Sequence, residues 1–406
     1  MVPEGWLRTT LGDIAVVSSG STPSRSRPEY WGGHIPWVTT SEVKYRPIVE
    51  TREHVTALAL DDVPLRVYPA GTILMAMYGQ GVTRGRVAIL GIDATINQAC
   101  CAITLTGDAE PSYVSRILEF LYPKIRTLGH GGNQQNLNAD IVRQIPMILP
   151  PQEEQQLILD VLVTWDRAIE NLEYQIESKR ERKRGLMQVL LTGKKRFKEY
   201  GAIPWRKVSL SQLGRVASGG TPSTSVPAYW NGEHAWCTPS EVTALGSRFI
   251  ESTVRSTSGE GLRASAAELL PPGSLIVCTR ATIGDCAINA MPMAMNQGFK
   301  AIVPRDDVDV EFLYYKIVHA KPALLRLANG STFLEVSKRD FEGLEIEVPC
   351  LEEQRRIAAV LSTADSEIEN LQKQLEAYSL QKRGLMQQLL TGKKRVKAED
   401  PMAVPA

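Results

Sequence analysis

Along residues 158 to 190 the apolar positions step by four and three without a break: Ile158, Leu162, Trp165, Ile169, Leu172 and Ile176, then Lys179 and Lys183, then Leu186 and Leu190. That alternation is a heptad seam, and it predicts a long helix lying against a partner helix. It returns late in the chain as Ile357, Leu361, Ala364, Ile368, Leu371, Leu375, Tyr378, Lys382, Leu385 and Leu389. The punctuation agrees. Pro150 and Pro151 precede carboxylates in the first turn, where the helix dipole favours them, and Gly193 and Gly392 follow the last apolar positions. At ~1.5 Å per residue, about 40 residues make a rod of ~60 Å. Where lysines interrupt the seam, their aliphatic stems are expected to pack while the charges stay in water.

Ahead of each rod the pattern changes period. Short runs such as "HIPWVTT", "GTILMAMYG", "GRVAIL" and "CCAITL", broken by Gly, Pro and Asn, predict strands. An amphipathic helix follows, "PSYVSRILEFLYPKIRTLG" from 111 to 129 and "VEFLYYKIVHAKPALLRLANG" from 310 to 330.

The two halves are copies. "KRGLMQVLLTGKKR" (183 to 196) recurs as "KRGLMQQLLTGKKR" (382 to 395), with thirteen of fourteen residues identical at an offset of 199. At the same offset "GSTPSRSRPEYWGGHIPW" (20 to 37) meets "GGTPSTSVPAYWNGEHAW" (219 to 236), and "INQACCAI" (96 to 103) meets "MNQGFKAI" (295 to 302). "PAGTIL" and "PPGSLI" match at a slightly longer offset, so a small insertion separates them. Units of about 200 residues are too long for a solenoid repeat. The chain is an internal duplication of a β-rich module plus a rod. Two equivalent seams satisfy each other, and the intervening module favours antiparallel pairing with one module at each end of the rods. The expected fold class is mixed α+β, with pseudo-two-fold symmetry.

Composition narrows the function. Lys and Arg number 46 against 45 acidic residues, a formal net charge of +1, so a nucleic-acid surface has to come from local clustering. No apolar run reaches the ~18 residues a membrane span needs. "MVPEGWLRTT" lacks the basic and apolar regions of an export signal, which points to the cytoplasm. The six cysteines form no CxxC and no Cys/His ligand set, as expected of free thiols in a reducing compartment. No metal set is expected, because the five histidines are scattered. "GLMQVLLTGKK" fails as a phosphate-binding P-loop: Gln188 stands where Gly is needed, and Lys195 replaces Ser or Thr. There is no methylase-like "NPPY" and no G-x-G-x-x-G after a strand. The residues therefore point to a non-catalytic chain.

The duplicated set "YWGGHIPWVTTSEV", "GGNQQNLNADIVRQIPMILPPQEEQ" and "LMQVLLTGKKR" resembles the specificity subunit of type I restriction–modification enzymes over residues 1 to 396. The second copy departs in "VPCLEEQ", where Cys replaces the second Pro, and in "NGSTFLEV" for "GGNQQNLN". The resemblance implies two target-recognition domains, residues 1–150 and 199–348, and two helical spacers, 151–198 and 349–396, with a disordered tail at 397–406. It implies that the chain reads a split, asymmetric site on double-stranded DNA. It also implies docking of two adenine methyltransferase subunits and of restriction subunits that translocate DNA. No cofactor is expected on this chain; S-adenosylmethionine would serve the methylases, and ATP with Mg the restriction subunits.

Residue chemistry supplies candidates for DNA contact: Arg for guanine, Asn and Gln for adenine, any cation for phosphate. In the first module these are Arg25 and Arg27 in a Ser/Pro-rich loop, Lys44, Tyr45 and Arg46 after "TTSE", and Gln80, Thr83, Arg84 and Arg86 in a Gly-rich turn. Asn133, Gln134, Gln135 and Asn136 form an amide cluster. The second module offers Thr224 and Ser225, the stretch from Thr243 to Arg248, Arg280 and Thr282, and Ser331 and Thr332. A lone charged loop residue is more often simply solvated. Tyr30/Trp31 with Tyr229/Trp230, and Trp37 with Trp236, occur in both modules and read as core packing. The basic run "SKRERKR" (178 to 184) suits DNA phosphates, acidic faces of partners, or a solvated helix face. Two other classes fit the residues: a stand-alone bipartite DNA-binding protein without methylase partners, and a coiled-coil spacer between protein-binding modules.

Overall fold

A computed structural model describes residues 2–79, 81–128, 136–329 and 334–396. The chain forms two compact units, residues 1–173 with 374–406, and residues 174–373. The tail expected to be disordered, 397–406, lies outside the described residues.

The first unit holds two small sheets and a ribbon. An antiparallel sheet runs in the order Ala15–Ser19, Cys100–Leu105, Ile73–Ala76 and Val87–Ile89. A second sheet has Trp31–Val38 at its centre, antiparallel to Glu53–Val55 and parallel to Thr95–Ile96. Leu7–Thr10 pairs with Pro146–Leu149, closing the module's two ends on one another. All four strand runs expected from the sequence are present. The expected amphipathic helix is broken, however. It forms as Pro111–Phe120 and Tyr122–Ile125, interrupted at Leu121, two residues before Pro123.

The second unit repeats this plan. Its larger sheet runs Gly214–Ser218, Phe299–Pro304, Leu275–Cys278, Cys286–Asn289 and Phe249–Ile250, with only the last pair parallel. Trp230–Cys237 lies between Arg255–Thr257 and Met293–Met295, and Arg206–Ser209 pairs with Glu345–Val348. Here the helix continues from Val310 to Leu327 with Pro322 inside it. One backbone approach survives the duplication closely. A Cβ built on Gly20 would sit 2.1 Å from the carbonyl oxygen of Ile96, and one on Gly219 1.7 Å from that of Asn296, so both positions require glycine.

Two helices of 39 residues, Gln152–Leu190 and Leu351–Leu389, are the expected rods. Each ends on the glycine foreseen: Gly193 and Gly392 adopt φ of +68° and +67°, a left-handed conformation suited to a helix stop. Each unit is built on half of both rods. In the first unit Ile158 and Leu162 share a core with Met386, Leu389 and Leu390; in the second Ile357 and Leu361 share one with Leu190 and Leu191. Contacts inside each unit fix the direction as antiparallel. Glu154 meets Arg395 and Asp166 meets Lys382, while Glu353 meets Arg196 and Asp365 meets Lys183. Along the seam Leu172, Ile176 and Ile368 are buried, whereas Trp165, Ile169, Leu371 and Leu375 are half-buried. The lysines differ from expectation. Lys382 is 14% exposed and lies 2.5 Å from Asp166, and Lys183 pairs with Asp365. Their charges are neutralised by carboxylates rather than left in water, because a half-buried ammonium loses hydration that a facing carboxylate restores.

Candidate nucleic-acid interface

The module is clamped to its rod half by one buried carboxylate. Trp6 Nε1 donates to Glu154 at 3.0 Å, and Arg395 makes two bonds to the same carboxylate at 2.7 Å. In the second unit Trp205 Nε1 donates to Glu353 at 3.1 Å, and Arg196 at 3.1 and 2.6 Å. Every member is displaced by 199 residues. The tryptophans read as core are also shared: Trp37 and Trp236 are buried and donate to the carbonyls of Ser21 and Gly220 at 3.1 and 3.0 Å. Trp31 and Trp230 meet them edge-on at the same centroid distance, 4.9 Å.

The candidate loops are where the units part. In the first module Arg25 lies 3.7 Å above Trp31 and is held by Glu53 at 2.9 Å, while Arg27 pairs with Glu29 at 2.8 Å and stacks on Tyr30. The second module has Thr224 and Ser225 in that loop, both exposed, and Arg255 takes the place over Trp230 at 3.9 Å. A guanidinium covers the equivalent indole in both modules, from a loop in the first and from a strand in the second.

A denser cluster surrounds the turn ahead of Val87. Tyr45 adopts a left-handed φ of 62°, and its amide donates to the carbonyl of Val87 at 2.8 Å. Its ring meets Tyr122 edge-on at 6.0 Å, and Arg86 lies over it at 5.9 Å. Burial pushes the Tyr45 phenol up, so it stays a neutral donor. Arg126 stacks on Tyr122 and donates to the carbonyl of Gly81 at 2.6 Å, and Arg84 donates to the carbonyl of Arg126 at 2.9 Å. Thr83 is half-buried here, Lys44 exposed, and Arg46 reaches Glu173 only at 3.4 Å. The fold brings Lys44 to Arg46 and Thr83 to Arg86, candidates from two separate stretches, into one cluster, and adds Tyr122 and Arg126, which sequence reasoning missed. They sit on a stretch whose periodicity signals only a core helix. The usable signal was their replacement by Lys321 and Leu325 in the second copy.

In the second module the equivalent turn holds neutral or paired groups. Thr243 bonds Thr282 at 3.0 Å and Asp285 at 3.1 Å, and Lys321 pairs with Asp285 at 2.6 Å. Arg248 is bound to Glu311 at 2.9 Å and Arg280 to Glu335 at 2.6 Å. Arg248, 16% exposed, is a structural ion pair as it stands. Asn136 is half-buried; Gln80, Asn133, Gln134, Gln135, Ser331 and Thr332 lie outside the described residues. In "SKRERKR", Lys179 pairs with Glu367 at 2.7 Å and Arg184 with Glu177 at 2.9 Å, so much of that run is internally compensated.

The six cysteines are free, and burial raises the thiols of Cys101 and Cys278 to about 12 and about 11, away from the reactive thiolate. No helix among the described residues is long and apolar enough to cross a membrane.

A family model for the type I restriction modification DNA specificity domain matches twice, over residues 3–179 and 202–377. The chain belongs to that family. The type I restriction enzyme MjaIX specificity subunit of Methanocaldococcus jannaschii is 37% identical over 186 residues, 44% of this chain. That match spans 43% of the relative's length. The MjaVIII specificity subunit of the same organism is 24% identical across 98% of this chain and 94% of its own. A solved chain from work on complex assembly and conformational transition of the type I R-M system superposes with a TM-score of 0.64 at 16% identity. It covers 97% of this chain and 100% of that one. The chain carries two copies of that specificity domain, one lying mainly in each unit.

Proposed function

We propose that each unit reads one half of a split, asymmetric site on double-stranded DNA, and that the chain delivers two adenine methyltransferase subunits to that site. The observation that carries this reading is a contrast. The clamp of Trp6, Glu154 and Arg395 recurs as Trp205, Glu353 and Arg196, while Lys44, Tyr45, Arg84 and Arg86 give way to Thr243, Ala244, Ile283 and Asp285. Like scaffolds with unlike reading loops favour two different half-sites. The repeated rod surfaces suit two copies of one partner, and the subunit names of the relatives favour methylases and restriction subunits. In this reading the chain is non-catalytic and works in the cytoplasm. S-adenosylmethionine belongs to the methylases, and ATP with Mg to the restriction subunits.

The purified chain should show no methyltransferase, nuclease or ATPase turnover. Mixed with its methylase and S-adenosylmethionine, it should place methyl groups on adenines in both parts of one split motif. Turnover that survives repurification of the isolated chain would overturn the non-catalytic role. Tight binding to one motif without any methylase would favour the stand-alone DNA-binding protein instead.

A further inference from the structure

We propose that the Arg84, Arg86 and Arg126 cluster of the first module is a DNA phosphate site, which makes the first module the principal salt-dependent grip of the two. This rests on the DNA-reading role above and adds which module holds the backbone and with what.

The Nε–H groups of Arg84, Arg86 and Arg126 are buried, and none finds an acceptor among the described residues. Buried donors without acceptors are rare, and a guanidinium is the costliest to leave so. No carboxylate among the described residues forms an ion pair with any of the three, and their mutual repulsion calls for an anion. The rings of Tyr45 and Tyr122 hold two of the guanidiniums in place from the side. Lys44 and Arg46 flank the left-handed Tyr45, which the Val87 carbonyl ties beside Arg86. Backbone strain of this kind gathers where a surface is held for a ligand.

The second module serves as an internal control. Its turn spans 279 to 285 against 77 to 86 in the first, seven residues in place of ten. The glycines that precede the last turn residue match: Gly85 packs on Tyr122 and Arg126, and Gly284 on Lys321. Arg86 therefore corresponds to Asp285, Arg84 to Ile283 and Arg126 to Leu325. Three cations without an ion-pair partner among the described residues become one carboxylate already bound to Lys321.

Phosphate fits better than a guanine edge. Arg84 and Arg126 already spend donors on the carbonyls of Arg126 and Gly81 and cannot both present the open planar fork that guanine needs. They act as placed charges.

The test uses the full chain with its methylase, and two fluorescent duplexes of about three helical turns, one carrying the mapped motif and one scrambled. Affinity is read across 50 to 200 mM salt. Arg86→Gln should lower the salt slope by about 1, and Arg84→Gln with Arg86→Gln by about 2, narrowing the affinity span over that salt range roughly tenfold. Both duplexes should weaken by the same factor, and Arg86→Lys should keep the slope. The Arg86 Nε finds no acceptor among the described residues, and the residue's bonds to Thr83 and Ala76 run through its backbone, which Arg86→Gln keeps, so the single variant decides if the double one misfolds. Weakening confined to the motif duplex would make Arg86 a base reader and overturn the phosphate site, as would an unchanged slope. Wild-type complex that binds neither duplex in a salt-dependent way would instead sink the DNA-reading role itself.

Discussion

A chain cut near Lys198 should dimerise rather than stay a folded monomer, and its dimer should direct methylation to a palindrome. The cut removes Met386, Leu389, Leu390 and Val396 from the core of the first unit, together with both partners of the rod carboxylates, Lys382 and Arg395. Four buried apolar side chains at ~1.5–3 kcal/mol each amount to about 6–12 kcal/mol as an upper bound. That is comparable to the whole stability of an ordinary domain, about 5–15 kcal/mol. A second copy can supply the loss, since residues 183 to 196 repeat 382 to 395 in thirteen of fourteen positions. Met187, Leu190, Leu191 and Phe197 would stand in for the missing apolar groups, Lys183 for Lys382, and Arg196 for Arg395. A closed two-fold dimer buries that patch on both copies. One contact is degraded. Trp165 meets Tyr378 edge-on at 5.4 Å in the intact chain, and the stand-in is Lys179. Lys179→Tyr in the fragment should therefore tighten the dimer by about 0.5–1.5 kcal/mol per restored ring pair. Light scattering of fragment 1–198 checks the dimer, and motif mapping with the methylase present checks the palindrome. A stable monomer would contradict the seam pairing.

Removing Glu353 should destabilise the second unit severely. Its side chain has no exposed surface and accepts from both Arg196 and Trp205. Glu353→Ala leaves a guanidinium, 19% exposed, and an indole N–H without their acceptor. Breaking a buried pair by deleting one partner costs about 3–5 kcal/mol. For a unit of about 200 residues, even 3 kcal/mol lowers Tm by roughly 6–12 °C. Glu154→Ala should cost the first unit less, because Arg395 is 38% exposed and water recovers part of its hydration. Calorimetry of the two variants should show different transitions moving. A shift below about 2 °C for Glu353→Ala would mean that this carboxylate does not clamp module to rod.

The sequence made the architecture readable because duplication turns a three-dimensional relation into an offset. The seam from Ile158 to Ile176, the stops at Gly193 and Gly392, and the strand runs all follow from local period and turn chemistry. What stayed hidden depends on partners far along the chain. Arg395 and Glu154 are 241 residues apart, and nothing local marks Lys382 as the mate of Asp166 rather than of water. The broken helix at Leu121 was missed for a related reason. Pro123 and Pro322 occupy matching positions, yet only the second helix runs on, so the outcome depends on packing beyond the local sequence. In the candidate interface, composition could flag Arg84 and Arg86 but not Tyr122 and Arg126, which reach the turn only once the helix is docked. It also could not separate Arg86, without a carboxylate, from Arg248, already spent on Glu311.

The central claim is that each unit reads its own half of one split site. The direct measurement is genome-wide mapping of methylated adenines after residues 1 to about 150 are replaced by a module of different specificity, a segment of domain size. One half of the motif should change while the other half stays as it was. If both halves changed together, or neither did, the units would not be independent readers and the account would be contradicted.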